Sequence, residues 1–112
     1  MSQVDEDLID RMRAALEARG AHPVAKRMFG GVAFMVNGNM SFGSARDEMH
    51  VRVGPEAYED ALVQPGARPM DFTGRPMKGW VTVEGPSDLS EDELGAWADR
   101  TLAFVNTLPP KD

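Results

Sequence analysis

Cysteine is absent from this 112-residue chain, and its absence excludes disulfide frameworks, thiolate zinc sites and cysteine nucleophiles. Histidine is nearly absent. His22 and His50 are the only imidazoles, and neither has a second histidine or a carboxylate at ligand spacing on a common face, which argues against a metal centre. Long apolar runs are missing too, since none approaches the roughly 20 residues that a membrane-crossing helix needs. The opening Met1-Ser2-Gln3-Val4-Asp5-Glu6-Asp7 is acidic where a secretory signal is basic and then apolar, so the expected location is the cytoplasm.

Positive charge is scarce: 12 Lys and Arg against 18 Asp and Glu leave a net charge of -6. Nucleic acid binds through neutralisation of phosphates by Lys and Arg, so a general affinity for it is disfavoured. The deficit is uneven. Residues 1–20 hold five acids and three bases, residues 21–78 six and seven, and residues 79–112 seven and two. The near-neutral middle contains Lys26, Arg27, Arg46, Arg52, Arg68, Arg75 and Lys78. These form a basic patch only if the fold brings them to one face; scattered charges offset by Glu48, Glu56, Glu59 and Asp60 are the plainer expectation.

The pattern that is present is that of one α+β domain over residues 1–112, a length that supports a single core. Val4, Leu8, Met12, Ala15 and Leu16 recur at helical spacing, with Ser2 or Asp5 as a start and Gly20 and Pro23 as a stop. Arg27 to Val36 is rich in strand formers, and Asn37-Gly38 then predicts a tight hairpin into Met40 to Gly43. Met49 to Val53 alternates, with Met49, Val51 and Val53 on one face and His50 and Arg52 on the other. A short helix follows from Pro55 to Leu62, then strands near Pro69 to Phe72 and Trp80 to Glu84. Ser90-Glu91-Asp92-Glu93 is a capping box that opens a final helix, with Leu94, Trp97, Ala98, Thr101, Leu102, Val105 and Leu108 as its buried stripe and Leu89 and Leu94 as a staple. The predicted order is α-β-β-β-α-β-β-α, an antiparallel sheet of roughly five strands with helices packed on it.

Catalytic signatures are missing. No serine sits in a Gly-x-Ser-x-Gly elbow, and no glycine-rich loop leads from a strand into a helix, so neither a triad nor a cofactor-binding fingerprint is present. Gly30-Gly31 precedes a strand rather than a helix, which makes a bulge, a bend or a close backbone approach the better reading than a phosphate loop. Asp71 and Glu84 are strand carboxylates that pair across the sheet in one reading and are solvated surface in the other. Six of the eight methionines lie between Met28 and Met77, a density that suits either core filling or an adaptable surface.

Lys26-Arg27-Met28-Phe29-Gly30-Gly31, then an apolar strand, an Asn-Gly turn, the Met49 to Val53 strand and Pro69-Met70-Asp71-Phe72, together resemble the N-terminal domain of the TfoX/Sxy competence-regulator family. The likeness covers nearly the whole chain. It implies an α+β fold of the YjbR-like kind and a role in transcription regulation, and it carries over no catalytic residues. It also implies a stand-alone N-terminal domain, because competence regulators of this family have a second, helical C-terminal domain that these 112 residues do not include.

The leading expectation is therefore a non-catalytic regulatory or protein-interaction domain without cofactor or metal. Arg27, His50, Arg52, Arg75 and Lys78 are its candidate binding residues, and Met28, Phe29, Gly30 and Gly31 its structural motif. The first strand is apolar on both faces, Met28, Val32, Phe34 and Val36 on one and Phe29, Ala33 and Met35 on the other. Three helices do not obviously cover both, so a protein partner or a second copy is expected there. A nucleic-acid-binding module using the middle-segment arginines is the alternative, and an enzyme of unrecognised type is a third.

Overall fold

The computed structural model describes residues 6–28, 30–45, 47–71 and 76–111, except for the side chains of Met28 and Pro76. Helix α1 spans Glu6–Glu17 and buries Leu8, Ile9, Met12 and Leu16. Its proposed caps Ser2 and Asp5 lie outside the described residues. Its C-terminus closes in a Schellman arrangement, with the Ala21 N–H donating to Leu16 O at 3.1 Å and the Gly20 N–H to Glu17 O at 3.0 Å.

Four strands follow: β1 (Val24–Met28), β2 (Gly31–Val36), β3 (Asn39–Ala45) and β4 (Glu48–Arg52). After helix α2 (Tyr58–Leu62) come β5 (Ala67–Asp71) and β6 (Pro76–Glu84), a 3-10 turn (Pro86–Asp88) and helix α3 (Glu91–Val105). The strands form one sheet in the order β1-β2-β3-β4-β6-β5, with all neighbours antiparallel. The predicted α+β class and element order hold.

Three boundaries differ, one of them the start of β6, at Pro76 rather than Trp80. The single strand expected from Arg27 to Val36 is two, because the chain reverses at Gly30, whose φ of +75° suits glycine; the sheet therefore has six strands, not roughly five. Gly31 then enters β2, where a Cβ would collide with Ser44 O across the ladder, the close backbone approach anticipated for this pair. The middle helix starts three residues late, at Tyr58 rather than Pro55.

Local chemistry sets the remaining turns and caps. Asn37 and Gly38 both have positive φ, 54° and 78°, as a two-residue hairpin turn requires. At α3 the capping box is complete: Glu93 N–H donates to Ser90 Oγ at 3.1 Å, and Ser90 N–H donates to Glu93 Oε1 at 2.8 Å. Such a cap contributes about 1 kcal/mol.

One hydrophobic core joins all three helices to a single face of the sheet. Val32, Phe34 and Val36 of β2, Phe42 of β3, Met49 and Val51 of β4 and Val81 and Val83 of β6 meet Leu8, Met12 and Leu16 of α1, Tyr58 and Ala61 of α2 and Leu94, Trp97, Ala98, Leu102 and Val105 of α3. The alternation read from β2 and β4 is thus confirmed for these residues. The other face of the sheet carries no helix among the described residues. No described helix is long and apolar enough to cross a membrane.

Candidate functional site

Antiparallel partners project to the same side of a sheet, so the register defines what the helix-free face presents. One row runs Ala33, Gly43, His50, Thr82, Arg68 across five strands. The next row toward one end of the sheet carries Gly31, Ala45, Glu48 and Glu84. On the other side, Met35 opposes Met40 and Arg52 opposes Trp80.

Small residues at the centre of this face leave it hollow. Ala33, Gly43 and Ala45 make a low floor, and a Cβ on Gly43 would lie 2.6 Å from Val32 O, so only glycine fits there. Met40, Met70, Met77 and Trp80 stand around the floor and His50 beside it, and together they line a pocket of about 290 Å³ to which Val32 and Ser44 also contribute.

Two ladder irregularities aim these walls. Between the Ala33–Gly43 and Met35–Met40 pairs, β3 contains one more residue than β2, and Ser41 Oγ donates to Phe34 O at 2.8 Å in this bulge. A larger break lies in β6, where Pro69 opposes Val81 but Asp71 opposes Pro76. Gly79, at φ +98°, sits inside it, and its carbonyl accepts from the N–H groups of both Val53 and Gly54. The break overrides strict alternation, which would turn Met77 away from Trp80's side, and Met77 joins the pocket instead.

His50 is the titratable group of the lining. Its Nδ1 lies 2.9 Å from Thr82 Oγ1 and its Nε2 lies 4.0 Å from Glu48 Oε1. Burial lowers its pKa below the usual imidazole value of 6.5, against the opposing pull of the Glu48 carboxylate and with a further push from Arg68, so the ring is neutral at neutral pH. Arg68 bridges Glu48 and Glu84. Arg52 lies over the Trp80 ring at 5.9 Å and the Phe104 ring at 5.3 Å, and its Nη1 donates to Met40 O at 3.4 Å. These are cation–π geometries that hold the guanidinium against the fold.

The five sequence candidates divide. His50 and Arg52 share the open face, as their alternation predicted, and His50 lines the pocket. Arg27 opposes Val32 in the ladder and so lies on the helix side, where its Nη2 is 3.3 Å from Glu6 Oε2. Lys78 is exposed on β6 and does not line the pocket. Arg75 lies outside the described residues, as does Phe29 of the motif. The carboxylates Asp71 and Glu84 do not pair, because Asp71 opposes Pro76 and Glu84 opposes Glu48. The methionine density is the one signal in the sequence for Met40, Met70 and Met77, and Trp80 has none beyond its place in a predicted strand.

Among the described residues, no group of three or more His, Asp or Glu side chains is placed to hold a metal ion. One arrangement has the order of a nucleophile, base and acid: Thr82, His50, Glu48. Thr82, however, is 1% exposed and does not line the pocket, so its hydroxyl meets no substrate and instead fixes the orientation of the imidazole.

These features define a class: an antiparallel-sheet domain with a helical layer on one face and a ligand-sized apolar hollow in the other. The chain belongs to the TfoX N-terminal domain family, whose model matches residues 14–105. That family is not a known enzyme family. No curated protein matches the chain.

Proposed function

We propose that this chain is a non-catalytic regulatory domain that acts by binding, with the helix-free sheet face as its working surface. The observation that carries this reading is the apolar hollow around His50. A stable fold gains nothing from leaving Met40, Met70, Met77 and Trp80 around an empty floor, whereas binding sites are built this way, from apolar walls with a few placed polar groups. Family membership supports the same reading, since the likeness to competence regulators implies a role in transcription regulation.

Nucleic acid fits this surface less well. Arg27 lies on the opposite side of the sheet from Arg52 and Arg68, and Arg27 and Arg68 are paired with carboxylates, so the described arginines do not form one patch for phosphates. Co-purification from the native cell tests the proposal. Proteins recovered with the wild type are lost with the double variant Ala45→Glu, Met77→Glu and retained with Ala96→Glu on the outer side of α3. Recovery that ignores the open-face variant overturns the reading. So does salt-dependent DNA binding abolished by Arg52→Ala.

A further inference from the structure

The hollow has a size, a polarity and a charge, and each narrows what fills it. A cavity of about 150 Å³ lined by apolar side chains is known to take one benzene ring. The hollow, at about 290 Å³, has room for roughly two. Among its lining residues only His50, Ser44 and Trp80 have polar side-chain atoms. Among the described residues, the charges beside it offset one another: Glu48 and Glu84 face Arg68, and Arg52 lies on the Trp80 ring. The imidazole is itself neutral, held so by burial.

The distribution of exposed apolar surface distinguishes a small molecule from a protein segment. Protein interfaces bury about 800 Å² on each partner around an apolar centre. The exposed large hydrophobic side chains among the described residues are Val24, Val63 and Met77, and of these only Met77 borders the hollow. Val24 lies on this face too, beyond the hollow and opposite the partly buried Met35; Ala33, Met40, Ala45, Met70, Met77 and Trp80 line the concavity itself. The two ladder breaks act in the same sense. One displaces the Met40 end of β3 and the other turns Met77 inward, so the walls are raised by backbone irregularities that cost regular pairing.

We infer that the hollow binds a small, uncharged, two-ring aromatic molecule. The methionine thioethers and Trp80 would grip its ring faces and edges, and the neutral surround penalises an ionised ligand, which would lose hydration without gaining a counter-charge. This deepens the proposed function, on which it rests for the choice of face: the ligand is an effector whose occupancy alters the surface that the regulated partner meets.

Methionine-methyl NMR on the full chain tests this with 2-naphthol as the neutral probe and 2-naphthoate as its anionic counterpart. With 2-naphthol, the methyl signals of Met40, Met70 and Met77 are expected to shift saturably, while those of Met12 and Met49 in the helix-side core stay fixed. Ala33→Leu, which fills the floor, should weaken binding at least about tenfold, equivalent to about 1.4 kcal/mol. If that variant loses its folded spectrum, Ala45→Leu serves instead at the more open edge of the floor. The inference is overturned by absence of a saturable shift, by shifts that include Met12 and Met49, by indifference to floor filling, or by 2-naphthoate binding as tightly as 2-naphthol. Concentration-dependent shifts of the same methyls without any probe would mean that a second copy fills the hollow, and would also overturn it. Naphthol binding with partner recovery insensitive to Ala45→Glu, Met77→Glu would sustain the pocket and sink the regulatory reading; the reverse result would do the opposite.

Discussion

Both faces of the sheet carry apolar side chains, and they differ in what happens to them. On the helix side, Val32, Phe34, Phe42, Met49, Val51, Val81 and Val83 are sealed by α1, α2 and α3 into a core without large exposed atoms. On the other side, Ala33, Met40, Met70, Met77 and Trp80 surround space. Methionine is present on both. Met49 is 0% exposed and Met77 is 40% exposed, so the same side chain serves as filling on one face and as rim on the other. Apolar character alone therefore does not distinguish core from site; the helical layer does. It covers one face even where the pairing is irregular, as at Phe34 and Phe42, and the other face keeps its hollow.

The largest test of this contrast is a matched pair of truncations. Met49→Ala should destabilise the fold by about 2–5 kcal/mol, the cost of a cavity in a sealed core, whereas Met77→Ala should cost less than about 0.5 kcal/mol. Urea denaturation followed by circular dichroism measures both, and equal losses would erase the distinction between the faces.

Two smaller changes sharpen the description of the helix side. Ser90→Ala removes the hydroxyl half of the α3 capping box and should lower stability by about 1 kcal/mol. Thr101 is fully buried in α3, and its Oγ1 has no hydrogen-bond partner among the described residues. Thr101→Val should therefore raise stability by up to about 1 kcal/mol, because an unsatisfied hydroxyl is exchanged for a methyl of the same shape. Thermal unfolding of the two variants should move in opposite directions.

The smallest effect concerns pH. His50 has its pKa lowered by burial, so the unfolded chain takes up a proton there before the folded one does. The stability linked to the neutral ring is complete above the usual value of 6.5 and declines as pH falls below it and through the lowered folded value. His50→Gln should flatten this part of the stability profile between pH 7 and 5, measured as urea midpoints at each pH. A variant profile as steep as the wild type's would mean that His50 is not desolvated.

The sequence made legible whatever depends on near neighbours. The capping box, the Asn37-Gly38 turn, the alternation of β4 and the stripe of α3 as far as Val105 are contained in windows of a few residues, and all are present; Leu108, expected in that stripe, lies beyond the end of the helix and is only partly buried. Gly30-Gly31 was harder, because an unbroken apolar run hides a reversal that depends on one positive φ. The alternation of β4 placed His50 and Arg52 together, and this is the part of the site that sequence could supply. Its remaining walls come from β3, β5 and β6, brought together by a sheet order in which β6 pairs with β4. Met77 owes its place to the break at Gly79 that strict alternation cannot anticipate. Arg27 does not join His50 on the open face because β1 is a separate strand, whose register turns Arg27 toward the helix side.

The central claim is that binding takes place on the open face while the helix side is structural. A photo-cross-linking side chain placed at Ala45, on the floor of the hollow, and at Ala96, on the exposed side of α3, compares the two directly in the native cell. The account predicts a specific adduct from position 45 and none from position 96; adducts from position 96 alone would contradict it.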